Sequence, residues 1–174
     1  MTLVVDASMV VAGLTDSGAD GRWAESLLAG DALAAPHLMP VEVANILRRA
    51  ALAGDISADV ASLAHTDLLD LRVEFFPYQP CAARVWELRG NVTCYDGWYV
   101  AVAELLDSPL ATLDSRLANS AGPRCQFLLP PAAASGLPIP RPGLAPAACQ
   151  SARARTSFAN AQISGPPGSR LLPR

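Results

Sequence analysis

Four carboxylates stand apart from the other acids of this chain because each falls where a strand ends or a helix begins. Asp6 follows the apolar run Leu3-Val4-Val5, Glu42 comes just after Pro40, Asp96 comes three residues after Thr93, and Asp114 follows Leu110-Ala111-Thr112-Leu113. Carboxylates gathered at one point repel one another and shift their pKa values upward unless something positive sits among them. Mg²⁺, with Mn²⁺ as its substitute, is the natural occupant, because a hard divalent ion wants oxygen ligands, keeps several waters and is often held by a few carboxylates beside a phosphate. Asp6, Glu42, Asp96 and Asp114 are therefore the candidate catalytic and metal-binding set. The chemistry they point to is hydrolysis of a phosphodiester, in which the ion activates water and offsets charge on the leaving oxygen.

Each acid taken singly also has an ordinary structural role. Asp6 is placed to cap a turn at residues 7–12 and Asp114 a turn at Ser115, Glu42 favours the dipole of its helix, and Asp96 matches a capping-box partner of Thr93. Their conjunction favours the chemical reading. Asp16, Asp55, Asp59, Asp70 and Asp107 fall on loops, exposed faces or far helix ends and are read as solvating charge.

The elements that must position the four follow from periodicity. Leu3–Val5 is a short unbroken apolar run of the kind found in a parallel strand buried on both faces, residues 32–35, Val73–Phe76 and 110–113 read as further strands, and 126–129 adds a fifth at an edge. Between them, helices are expected over Gly21–Leu28, from Pro40 to the stop at Gly54, after the cap Ser57, over Cys81–Leu88, and from Thr93 to before Pro109. The Ser57 helix is expected to bury Val60, Leu63, Ala64, Leu68 and Leu71. Strands alternating with helices imply an α/β fold with a parallel sheet covered on both sides. In such a sheet, residues just past strands and in first helical turns converge on one rim, the usual ligand crevice.

Composition removes several other chemistries. All 13 positive side chains are arginine, so neither a P-loop lysine nor an imine-forming amine exists, and no G-x-G-x-x-G or G-x-S-x-G is present. Cys81, Cys94, Cys125 and Cys149 form no C-x-x-C pair and have only His37 and His65 to help them, which argues against zinc. The cysteines are expected as small core residues in a reducing compartment, and the two histidines as incidental. Positions 1–114 hold ten more acids than arginines, while positions 115–174 hold seven arginines and no acid. An acidic domain binds a polyanion only with bound cations or a local arginine patch. No basic leader opens the chain and no apolar stretch is long enough for a bilayer, so a cytoplasmic protein is expected.

Residues 1–129 read as one domain. The texture changes at Pro130: nine of the 15 prolines fall from there on, and 130–174 reads as a Pro/Ala/Arg-rich disordered tail.

The segments Val4-Val5-Asp6-Ala7-Ser8, Pro40-Val41-Glu42-Val43-Ala44-Asn45, Tyr95-Asp96-Gly97-Trp98-Tyr99-Val100-Ala101-Val102-Ala103-Glu104 and Leu110-Ala111-Thr112-Leu113-Asp114, in that order, resemble the signature of PIN domains. The VapC toxin branch of VapBC toxin-antitoxin pairs is the nearest likeness, over about residues 1–129. The resemblance implies a PIN-like three-layer sandwich with about four to five strands and a magnesium-dependent endoribonuclease acting on RNA. It also implies a homodimer and a VapB-type antitoxin as partner. Asp6 and Asp96 would be the main magnesium ligands, Glu42 and Asp114 would complete the pocket, and Ser8 and Thr112 match small hydroxyl positions beside the metal. Asn45, one helical turn from Glu42, is a candidate to orient it. Such toxins usually finish near Leu129, so the tail departs from the pattern.

Arg48 and Arg49 are read first as a solvated helix face, with phosphate steering as the alternative. Tyr95, Trp98 and Tyr99 are read as core or subunit-contact aromatics, with base stacking as the alternative. Competing functions are a DNA nuclease of related fold, since a 2'-OH preference leaves no trace in these residues, and a non-catalytic protein-binding module. A haloacid-dehalogenase-like phosphatase is disfavoured, because Ser8 stands where its second Asp belongs and there is no Lys.

Overall fold

A computed structural model describes residues 2–30 and 32–131, in which short strands alternate with helices. The order is β1 (Leu3–Val5), α1 (Ala7–Thr15), α2 (Ala19–Leu28), β2 (Leu33–Pro36), α3 (Met39–Ala53), α4 (Ala58–Asp70), β3 (Val73–Phe76), α5 (Tyr78–Leu88), α6 (Cys94–Leu105), β4 (Leu110–Ala111), α7 (Ser115–Ala118) and β5 (Phe127–Leu128). The tail expected at 130–174 lies outside the described residues from position 132 onward.

The strands form a five-stranded sheet in the order β3-β2-β1-β4-β5, with every pair parallel. Val4 stands opposite Ala34 on one side and Leu110 on the other, and all three are fully buried. β1, β2 and β4 carry no alternating polar residue because both of their faces are covered, whereas the edge strand β3 leaves Glu74 and Phe75 exposed. The chain steps outward from β1 through β2 to β3, then returns past β1 to β4. Right-handed crossovers in opposite directions put α1–α4 on one face and α5 and α6 on the other, giving the α/β sandwich expected. Accordingly α1 packs on α2, α3 and α4, while α5 packs on α6.

Local signals account for the helix ends. The Ser57 hydroxyl accepts the Val60 N–H at 3.1 Å, the usual role of a serine cap. Helix α3 stops at Gly54, whose φ of 81° is left-handed, a conformation that glycine adopts without strain. Asp16 joins α1 to α2 by accepting the N–H groups of Gly18 and Gly21, at 2.7 and 3.2 Å. Gly21 is required there, since a Cβ would lie 1.6 Å from the Asp16 carbonyl oxygen, and only glycine permits so close a backbone approach.

Several expectations are corrected. Residues 7–12 are not a turn but the start of α1, which buries Ala7, Met9, Val10 and Ala12. This segment is apolar on nearly every side and so lacks the one-sided pattern of an amphipathic helix. Val60 and Leu63 are exposed rather than in the core. Only the narrow stripe of Ala64 and Leu68 is buried, because α4 rides on α1 and α3. β4 ends at Ala111, β2 runs Leu33–Pro36, and α2 and α5 begin earlier than expected. Cys81 is buried and Cys125 partly so, but Cys94, first in α6, is exposed, and among the described residues none of these three is in a disulfide. Among the described residues no helix is long and apolar enough to cross a membrane.

Candidate functional site

The order in which the chain adds strands reverses between β1 and β4, and the crevice beyond such a switch point is where open parallel sheets bind ligands. Asp6 leaves β1 on one side of it, and Asp114 follows β4 on the other. Glu42 in the first turn of α3 and Asp96 in the first turn of α6 reach the same rim.

Asp6 is buried, 9% exposed, and its Oδ2 accepts two hydroxyl bonds, from Ser8 at 2.6 Å and Thr112 at 2.7 Å. Those hydroxyls also accept backbone N–H groups, Ser8 that of Leu113 at 3.2 Å and Thr112 that of Asp114 at 3.0 Å. A small network therefore ties the ends of β1 and β4 together around one carboxylate oxygen. Although Asp6 stands at the N-cap position of α1, its side chain makes no capping bond.

On α6, Thr93 Oγ1 accepts the Asp96 N–H at 3.1 Å and donates to Asp96 Oδ2 at 2.7 Å, so the Thr93–Asp96 capping unit is present. Asp114 caps α7, its Oδ1 accepting the N–H groups of Arg116 at 2.8 Å and Leu117 at 3.3 Å. Glu42 is held from another element: the Tyr99 hydroxyl donates to its Oε2 at 2.6 Å. Asn45, the expected orienting residue, is exposed on α3 and makes no side-chain hydrogen bond to Glu42. The Glu42 carboxylate turns away from its own helix toward Tyr99, out of line with a neighbour one turn along.

The electrostatics show the four acids as neighbours. Burial raises the pKa of Asp6, the Ser8 and Thr112 bonds pull it back, and the Asp96 charge raises it again, leaving it above the ordinary value. Glu42 is raised by burial, lowered by Tyr99, and raised by the charges of Asp6 and Asp96, with a net rise. Asp96 is likewise raised by burial, eased by Thr93, raised by Asp114 and eased by Arg116, again with a net rise. Burial first, then the bond to Glu42, pushes the Tyr99 hydroxyl far up, so it remains a proton donor.

In all four acids the hydrogen bonds engage one oxygen: Oδ2 of Asp6, Oε2 of Glu42, Oδ2 of Asp96 and Oδ1 of Asp114. Among the described residues, no three or more carboxylate, imidazole or thiol side chains lie close enough together, as they stand, to hold a metal ion. The rim is an open set of hard oxygen donors carrying uncompensated charge, and it fits an ion that keeps much of its water and shares it with a phosphate. Zinc, which favours closed nitrogen and sulfur sets, is a poor fit.

Arg116, passed over in the sequence, stands at this rim with its Nε 3.6 Å from Asp114 Oδ1 and its side chain 89% exposed. Its signal was position, as the first basic residue after Asp114. Arg48 and Arg49 are exposed on α3, and Arg48 lines a cleft against α4 with Ser62 and His65. Tyr95 is exposed, Tyr99 is core, and Trp98 meets Tyr78 edge-on with ring centroids 5.1 Å apart.

A family model described as PIN domain matches residues 3–123. Ribonuclease VapC1 of Mycobacterium tuberculosis is 43% identical over 127 residues, covering 72% of this chain and 96% of that protein. Ribonuclease VapC9 of the same organism is 36% identical over 129 residues, covering 74% of this chain and 98% of its own length. Among solved structures, PAE2754 from Pyrobaculum aerophilum superimposes with a TM-score of 0.53 at 28% identity, over 68% of this chain and 83% of that one. VapBC2 from Rickettsia felis, solved bound to a promoter DNA fragment, shares the fold at 13% identity with a TM-score of 0.51, over 74% of this chain and 98% of that one.

Proposed function

This chain belongs to the PIN-domain family, in its VapC ribonuclease branch, and from that premise we propose that it is an endoribonuclease that hydrolyses RNA phosphodiester bonds with Mg²⁺. The observation that carries the proposal is the convergence of Asp6, Glu42, Asp96 and Asp114 on one rim, where their charges repel. Asp6 and Asp96 are the principal ligands in this reading, and Glu42 and Asp114 complete the set. The ion, when bound, activates water and offsets charge on the leaving oxygen.

The chain's own groups prepare the site. Ser8 and Thr112 fix Asp6, Thr93 fixes Asp96, and the first turn of α7 fixes Asp114. Arg116 supplies an exposed positive group where a substrate phosphate arrives, a local answer to the domain's excess of acid. Neither histidine is among the rim residues, so no imidazole pair is available there for metal-free acid-base catalysis. Family membership further proposes a toxic component of a type II toxin-antitoxin module, working in the cytoplasm, with a VapB-type antitoxin as partner and a homodimer as the assembly.

The test is incubation of purified protein with total RNA and, separately, single-stranded DNA, with Mg²⁺ or with EDTA, beside Asp96→Asn. Discrete RNA fragments that need Mg²⁺ and vanish with the variant are expected. Cleavage that survives both chelator and Asp96→Asn would overturn the proposal, and cleavage of DNA alone would reassign the substrate.

A further inference from the structure

Glu42 differs from the other three acids in how it is held. Asp6, Asp96 and Asp114 each receive a hydrogen bond from a group within three residues in the chain, from Ser8, from Thr93, and from the Arg116 and Leu117 N–H groups. Glu42 has no such local partner among its side-chain hydrogen bonds. Among the described residues its one side-chain bond comes from Tyr99, 57 residues away on α6, across the rim from α3. Tyr99 is 1% exposed, so its hydroxyl cannot turn to water, and a buried hydroxyl without an acceptor is costly. The ring belongs to the hydrophobic core, so the hydroxyl has little freedom of position. Tyr99 also lies one helical turn from Asp96 on α6, which places one acid of the rim and the anchor of another on the same rigid element.

We infer that Tyr99 is a positioning residue for Glu42: its buried hydroxyl occupies Oε2 and leaves Oε1 as the oxygen that Glu42 offers to the cation. This inference rests on the acid-held divalent ion of the proposed function. It assigns a role to one atom, the Tyr99 hydroxyl, while the ring serves packing. A group that holds a ligand in place without touching the metal typically sets its affinity by about 10- to 100-fold.

Removing that atom alone tests the inference. Calorimetric titration of full-length protein with Mn²⁺ is compared for wild type, Tyr99→Phe, Glu42→Ala and the double variant, with a thermal melt of each to establish folding. Tyr99→Phe is expected to weaken Mn²⁺ about tenfold in the wild-type background and to have no further effect in Glu42→Ala, because the hydroxyl acts only through that carboxylate. Unchanged Mn²⁺ affinity in Tyr99→Phe overturns the inference, as does an equal loss in both backgrounds, the mark of a packing effect. Glu42→Asp gives a second reading should Tyr99→Phe unfold. Its shorter arm keeps the charge but cannot reach both Tyr99 and the cation, so about tenfold weaker binding is expected and full affinity overturns the inference. Wild-type protein that takes up no Mn²⁺ overturns the proposed function itself, a result distinct from a wild type that binds and a Phe variant that binds equally well.

Discussion

Replacing Asp6 by Asn is expected to make the metal-free protein more stable while abolishing its response to metal. An asparagine carbonyl can accept the Ser8 and Thr112 hydroxyls where Oδ2 now does, so neither donor is orphaned. Each bond weakens from one made to a charged acceptor, about 1.5–3 kcal/mol, to one made to a neutral acceptor, about 0.5–1.5 kcal/mol, a combined loss of about 2–3 kcal/mol. Against this stands the desolvation of an ionised carboxylate that is 9% exposed, together with its repulsion by Asp96. Burying such a charge costs several kcal/mol even after relaxation. The balance favours Asn by about 1 kcal/mol, or roughly 4 °C in melting temperature. Mn²⁺ at about 100 times its Kd should add about 2.7 kcal/mol to wild type and little to the variant, reversing their order. The sign with pH follows from the raised Asp6 pKa. Above the ordinary carboxyl range near pH ~4, the folded form binds more protons than the unfolded one, so metal-free wild type loses stability as pH rises through that window. Below it Asp6 is neutral in both states and the gap to the variant should close. Urea denaturation in EDTA and in Mn²⁺ across this range is the assay. An Asn variant less stable than wild type in EDTA at neutral pH would refute the reasoning.

Thr112→Val strips Asp6 Oδ2 of a donor and the Asp114 N–H of its acceptor. It should cost about 2 kcal/mol in urea denaturation, and a loss near zero would show that neither bond matters to the fold. Arg84 binds both oxygens of Glu104, at 2.6 and 3.0 Å, and the Gly122 carbonyl at 2.7 Å. Burial alone would raise the Glu104 pKa, but Arg84 and the Arg124 N–H outweigh it and leave it lowered. Glu104→Gln should therefore cost about 2 kcal/mol at neutral pH, a difference present above the ordinary Glu range and lost as pH falls through the folded pKa; a pH-independent difference in urea midpoints would contradict this. Gly21→Ala should fold poorly or melt far below wild type, since its Cβ has no room against the Asp16 backbone, and a melting temperature within a few degrees of wild type would contradict that packing.

What the sequence made legible were features encoded within a few residues of one another. Ser57, Thr93 and Asp114 as caps, Gly54 as a stop and the two-sided apolar strands are local chemistry, and strand-helix alternation sufficed to bring Asp6, Glu42, Asp96 and Asp114 to one rim. α1 escaped because a helix buried nearly all round has no polar face to mark its period. Val60 and Leu63 misled because periodicity does not reveal how wide a stripe a neighbouring helix will cover. Asn45 was suggested by spacing along α3, whereas Tyr99 reaches Glu42 across two elements, a contact that no spacing encodes. The trace it left was a hydroxyl in an otherwise apolar helix run, Tyr99-Val100-Ala101-Val102-Ala103, which had to find an acceptor.

Anomalous diffraction from crystals grown with Mn²⁺ bears most directly on the gathered carboxylates. A peak is predicted at the rim, with oxygens of Asp6 and Asp96 about 2 Å away and Glu42 and Asp114 around it. Manganese bound only elsewhere, or Asp6 and Asp96 turned away from a shared ion, would contradict the account.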